Sequence, residues 1–225
     1  MHSALCTMHC ELCTDMIVFK YTKTDLAQFI PHLDTLRHIE RIIRRAGMEI
    51  NCSQGFNPHS LIYLSAPMPV GVETLSEYCT VDLKNEEPDF LNKFNDFAPR
   101  GIKCAKVFNV SKNPDIFNLI KINKYEITGE KLPAVDIIIT GNEFLITDKG
   151  GAQKNVFDRV KKLEEKDGKL YAYLFIGEKN LRVDYFLNNL EKRFNTDAYA
   201  VKTASYTEKM ENVDDILSGE LIVES

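Results

Sequence analysis

No apolar run in this chain of 225 residues approaches the roughly 18 that a membrane-spanning helix requires, and no basic segment leads into an apolar core at the amino terminus. From these absences a cytoplasmic protein with no membrane partner is expected. The chain also lacks a glycine-rich phosphate loop followed by Lys-Ser or Lys-Thr, a Gly-x-Ser-x-Gly elbow and a His-Glu-x-x-His pair. No independent catalytic constellation is indicated, so catalytic residues stay unassigned. Phe157, Tyr171, Tyr173, Phe175 and Tyr185 could offer stacking faces to RNA bases, but no glycine-basic-aromatic signature accompanies them and they read as core.

With 44% hydrophobic and 27% charged residues, the chain can bury a core of one large or two small domains. The net charge of −5 is concentrated at the carboxyl end. There Glu208, Glu211, Asp214, Asp215, Glu220 and Glu224 face only Lys209, so the body is neutral. This acidic tail, residues 207–225, is expected to be disordered or to form a loose helix near Val213 to Leu217. Cys52, Cys79 and Cys104 are scattered among apolar residues and read as reduced core thiols rather than a disulfide framework.

From Met16 the pattern runs strand, helix, strand, strand, helix, strand. Ile17 to Lys20 opens it. His32 to Ala46 is helical, with Leu33, Leu36, Ile39, Ile43 and Ala46 on one stripe and Gly47 as the stop. Leu61 to Leu64 and Tyr78 to Leu83 are strands, Phe90 to Phe97 a helix ended by Pro99, and Ile102 to Val110 a strand. The order suits a split βαβ, ferredoxin-like module over 16–110. A second α+β module is expected over 122–206, joined to the first near Ser111 to Lys121. It has strands at Tyr125 to Thr128, Val135 to Thr140 and Glu143 to Thr147, the last two turned through Gly141-Asn142. A short helix at Val156 to Leu163, a strand at Leu170 to Ile176, a helix at Val183 to Phe194 and a strand at Ala198 to Tyr206 complete it. The fold class is therefore α+β, two ferredoxin-like modules with antiparallel sheets.

Arg37, Arg41 and Arg44 fall within about 60° of one another on an ideal helix, opposite the apolar stripe. They read either as a cationic ridge for a phosphate-bearing ligand or as a solvated face in which Glu40 pairs with Arg44. The run Ser53-Gln54-Gly55-Phe56-Asn57-Pro58-His59-Ser60 presents polar groups from a rigid turn, and Pro67 and Pro69 keep the segment Pro67-Met68-Pro69-Val70-Gly71 extended. His32 and His59 could move protons or bind a metal, with Asp34 or Glu77 as the orienting carboxylate, or could serve as hydrogen-bonding struts.

These motifs, together with Phe29-Ile30-Pro31-His32-Leu33-Asp34 and Ser76-Glu77-Tyr78, resemble in order the radical-SAM-linked bacterial domain of unknown function over about Met16 to Tyr206. His32, Asp34, Asn57, His59 and Glu77 match that family's motif. Pro31, Ser60 and Thr80 stand where the family tends to have serine, proline and aspartate. The resemblance implies an accessory or substrate-binding protein that works with a radical SAM protein and is non-catalytic by itself. Its binding surface would comprise His32, Asp34, Arg37, Arg41, Arg44, Asn57, His59 and Glu77. No cofactor is expected in the main domain, a [4Fe-4S] cluster and S-adenosylmethionine coming through the partner. The alternative is an RNA-binding or RNA-modifying protein, suggested by the arginine ridge.

Cys6, Cys10 and Cys13 have the C-x3-C-x2-C spacing that can ligate a [4Fe-4S] cluster, but they precede every predicted element and no strand leads into them. Residues 1–15 read as an extension ahead of a natural start at Met16. If they do bind iron, anaerobic reconstitution of the full chain will incorporate more of it than a chain beginning at Met16; equal iron in both would remove these cysteines as ligands.

Overall fold

The computed structural model describes residues 15–139, 141, 143–147 and 151–219. In chain order the strands and helices are β1 (Asp15–Lys23), α1 (His32–Arg45), β2 (Ile62–Leu64), β3 (Glu73–Leu83), α2 (Phe90–Phe97), β4 (Ile102–Val110), α3 (Ile116–Leu119), β5 (Ile122–Glu130), α4 (Val135–Ile138), β6 (Leu145–Thr147), β7 (Gln153–Asn155), β8 (Val160–Lys166), β9 (Lys169–Phe175), α5 (Val183–Phe194), β10 (Asp197–Tyr206) and α6 (Val213–Ser218). Eight strands make one mixed, mostly antiparallel sheet with the path β4-β1-β3-β10-β5-β9-β8, and β2 also pairs with β3; β6 and β7 form a separate ribbon.

Side-chain alternation in the strands builds three cores. Ile17, Phe19 and Tyr21 of β1 and Cys79, Val81 and Leu83 of β3 face α1 and α2, where Phe19 lies 5.1 Å from both Phe90 and Phe94. Val18, Tyr78 and Phe108 point the other way, against Ile116 and Ile120 from α3 and its end and Val213 and Leu217 of α6. In the second half, Tyr125, Ile127, Leu170, Ala172 and Leu174 meet Val183, Phe186 and Leu190 of α5.

The acidic carboxyl-terminal stretch is structured over α6. Asp214 pairs with Lys20 at 2.8 Å and accepts the Tyr78 hydroxyl at 2.5 Å, while Val213 and Leu217 are buried. Two expected elements are replaced. Val135 to Ile138, read as a strand from its β-branched residues, is one helical turn that delivers Ile138 to the second core, and β6 pairs with β7 instead of with that segment; Asn142 of the expected turn lies outside the described residues. Val156 to Leu163, read as a helix, becomes a 3-10 turn and then β8, because β9 supplies a ladder partner at Leu163↔Ala172 and Glu164↔Tyr171. Leu33, expected on the buried stripe of α1, is exposed; the buried positions are Thr35, Ile39, Ile42 and Ile43.

The halves share a strand order: β4-β1-β3-β2 in the first and β10-β5-β9-β8 in the second, antiparallel throughout each. They join into a single sheet through a short parallel seam, Val201↔Glu73 and Lys202↔Thr74. Since β1 holds one edge of β3, β2 and β10 lie in tandem along the other. At the seam the Lys202 ammonium donates to Glu77 Oε1 at 2.8 Å, both side chains being almost wholly buried (1% and 5% exposed). Glu77 also accepts hydrogen bonds from Ser65 at 3.0 Å and Thr74 at 3.3 Å. Replacing Lys202 with Met leaves the carboxylate buried without its cation, and a loss of about 3–5 kcal/mol is expected in urea unfolding. Glu77→Gln added to that variant should recover part of the loss.

Candidate functional site

The motif residues divide between two places. The first is the exposed side of α1 and the loop beside it. Pro31 precedes the helix in extended conformation, its carbonyl accepting from the Thr35 amide at 2.9 Å and the Thr35 hydroxyl at 3.0 Å; at the other end Gly47 takes φ +75° and stops it. With the opposite face buried, Arg37, Arg41 and Arg44 project to solvent. Arg37 pairs with Asp34 at 2.8 Å and Arg44 with Glu40 at 3.0 Å, while Arg41 has no ion pair among the described residues. Ser60 Oγ donates to Glu40 Oε1 at 2.6 Å and accepts from Arg44 at 3.1 Å, tying the loop to the helix. The Ser60 bond and the Arg44 guanidinium hold the Glu40 carboxyl below its ordinary pKa.

The loop is pinched at its base. The Ser53 amide donates to the His59 carbonyl at 2.8 Å, the His59 amide donates to Ser53 Oγ at 3.1 Å, and Ser53 Oγ lies 2.7 Å from His59 Nδ1. His59 is thus held in place by the loop's own serine. Beyond the pinch Gly55 adopts φ +147°, a conformation that favours glycine, and Asn57 and Pro58 are exposed. Phe56 at the tip is fully exposed (107%). The structure therefore brings Arg44 into contact with the motif loop. His32 and Glu77 belong to a different environment.

That second place is the seam. His32, Glu77, Tyr21, Lys23, Thr35 and Met68 line a cavity of about 10 Å³, room for roughly one water molecule. The Lys23 ammonium donates to the Ile30 carbonyl at 2.8 Å and is otherwise directed among these groups. Burial lowers the pKa of His32; the Glu77 charge opposes that shift and Lys23 adds to it. Burial likewise lowers Lys23 against the pull of Glu77, and raises Tyr21 well above the ordinary phenol range with help from Glu77 and then Cys79. Chemically, the cluster offers a cation, a neutral imidazole and a protonated phenol to one point. Sequence reading found only His32 and Glu77 of it. Lys202 did leave a trace, since strand alternation places it on the same inward side as Ala198 and Ala200, but its partner stands 125 positions earlier. Tyr21, Lys23 and Met68 had no comparable signal.

Cys79 and Cys104 are buried, as expected of core thiols, with burial pushing Cys104 up to about 12, whereas Cys52 is exposed. Cys6, Cys10 and Cys13 lie outside the described residues. Among the described residues no group of three or more His, Cys, Asp or Glu side chains could hold a metal ion. The aromatic set does not form one surface. Phe157 packs on the second core and Tyr185 sits on α5, while Tyr171, Tyr173 and Phe175 alternate away from the core side of β9, where Lys124 lies over the Tyr171 and Tyr173 rings at 4.4 and 5.3 Å.

This architecture is a mixed α/β protein built on one large, mostly antiparallel sheet, with no helix among the described residues long and apolar enough to cross a membrane. Residues 16–184 match the family described as an uncharacterized protein conserved in bacteria (DUF2344), and the chain belongs to that family. A crystal structure of an unknown protein from Galdieria sulphuraria is similar over 84% of this chain and 98% of that one, at 9% identity and a TM-score of 0.26. No curated protein matches the chain.

Because the folded state holds His32 below its ordinary pKa, protonation favours the unfolded chain. The stability this group contributes is present above pH of about 6.5 and is lost as pH falls through the lowered value. Urea unfolding from pH 7.5 to 5 should show wild type losing stability relative to His32→Gln; parallel curves would mean that the imidazole titrates as it does in the unfolded chain.

Proposed function

We propose that this chain is an accessory or substrate-binding protein working with a radical SAM protein, and that it presents α1 and the 53–60 loop to its partner. The association with a radical SAM protein rests on the family resemblance of the motifs. The observation that carries the binding role is Phe56. A large apolar ring held fully in solvent by a braced loop loses little conformational entropy on docking and gains its whole hydrophobic contribution there. Arg41, without an ion pair among the described residues, can meet an acidic group beside it. His59 and Asn57 supply directional polar contacts.

On this reading the [4Fe-4S] cluster and S-adenosylmethionine belong to the partner, as the family resemblance of the motifs implies. The repeated strand order is consistent with two split βαβ, ferredoxin-like modules, 16–110 and 122–206, that share one sheet. We place the protein in the cytoplasm, where the free thiols of Cys79 and Cys104 stay reduced.

Anaerobic affinity capture of the full chain from its native lysate should retain a radical SAM protein. His59→Ala and Arg41→Ala should each weaken that retention with the far-UV circular dichroism unchanged; wild-type retention by both variants would overturn the assigned surface. RNA retained without such a partner, and released as salt rises, would move the reading to RNA binding through the arginine face.

A further inference from the structure

Met68 separates two spaces. On one side is the small polar cavity of Tyr21, Lys23, His32 and Glu77; on the other is a cleft of about 220 Å³ where the Pro67–Pro69 segment faces the second half. Pro67, Phe117, Ile120 and Ile176 give the cleft apolar walls, and Asn123 and Tyr125 give it a buried polar floor. We propose that the cleft and the cavity are one binding site for a small carboxylate with an apolar body, its charged group directed past Met68 toward Lys23.

Three observations converge on this ligand. The first is charge. Lys23 and Lys202 are buried beside a single carboxylate, Glu77, which gives its direct ion pair to Lys202. Lys23 is left without a counterion of its own, burial drawing its pKa down against the pull of Glu77, and the lowered pKa of His32 keeps the imidazole from adding a second cation. A buried cation without a counterion is costly, and a monoanion supplies what is missing.

The second is unspent hydrogen-bonding capacity. Tyr21 is 2% exposed and its hydroxyl has no hydrogen-bond partner among the described residues. Lys23, 4% exposed, uses one of its three donors on the Ile30 carbonyl. Both line the cavity, so a carboxylate there would accept from a phenol and an ammonium together.

The third is the partition itself. Met68 is half-buried and anchored by a weak bond, the Tyr125 hydroxyl to its sulfur at 3.5 Å. A thioether side chain of three rotatable bonds is easily displaced, and its displacement joins the two spaces while freeing the Tyr125 hydroxyl for the ligand. The cleft alone would hold the apolar body, and the cavity alone has room only for water. This site lies apart from the Phe56 loop, and the inference does not depend on which partner that loop meets.

The test is titration of the full chain, carrying methyl-13C methionine, with benzoate and with its neutral isostere benzamide, followed at the Met68 methyl resonance assigned through Met68→Leu. Benzoate should shift that resonance saturably and benzamide should not. Lys23→Met should weaken benzoate at least about tenfold, the scale of one charge-assisted hydrogen bond, and Tyr21→Phe, which keeps the ring, should weaken it several-fold. If Lys23→Met does not fold, Tyr21→Phe decides the matter. No saturable benzoate shift, equal binding of benzamide, or unchanged affinity in the folded variants would overturn the proposal.

Discussion

A buried charge pair, Glu77 with Lys202, marks the register in which two half-sheets become one. The ladder between β3 and β10 has only two residue pairs, against eight between β1 and β3 and nine between β10 and β5. Glu77 and Lys202 sit beside that short ladder with Ser65 and Thr74 completing the carboxylate's bonds. Such a pair adds little net stability over well-packed apolar residues, because both charges lose their water. It discriminates strongly, however. A slip of the seam by one residue would turn Lys202 to the opposite face and leave two charges buried apart.

Around that constraint α1 divides its labour by face and by end. Its first residue, His32, belongs to the seam cluster, whereas Arg37, Arg41 and Arg44 look outward one to three turns later. The exposed face is fixed to the motif loop through Glu40 and Ser60, and the buried face is fixed to the sheet through Ile39, Ile42 and Ile43. Ser60 has a definite role here: its hydroxyl joins helix to loop through Glu40 and Arg44.

Sequence patterning located β4 and α5 residue for residue, and α1 and α2 nearly so, because each of these segments packs one face on a core and so keeps its period. It misread the segments beginning at Val135 and at Val156, which are short and whose outcome turns on the neighbours that the assembled sheet supplies, while the strand expected at Glu143 to Thr147 appears as β6. The site was legible in the same uneven way. His32 and Glu77 stood out through their motif, but what makes them interesting is Lys23, Tyr21 and Lys202, brought to them by strand pairing across the length of the chain. Cys52 and Leu33 look apolar by neighbourhood and lie on the surface, since a one-dimensional pattern does not say which residues the 51–61 loop and the first turn of α1 leave uncovered.

The packing of α6 governs the order in which the molecule can be finished. The side of the first half carrying Val18, Tyr78 and Phe108 is closed partly by Val213 and Leu217, residues made only after the whole second half. Until then a nascent chain holds an apolar surface open, with Lys20 and the Tyr78 hydroxyl lacking Asp214. The first half, although local in its strand order, therefore closes this face only after α6 has been made, so its completion waits on residues that follow the whole second half.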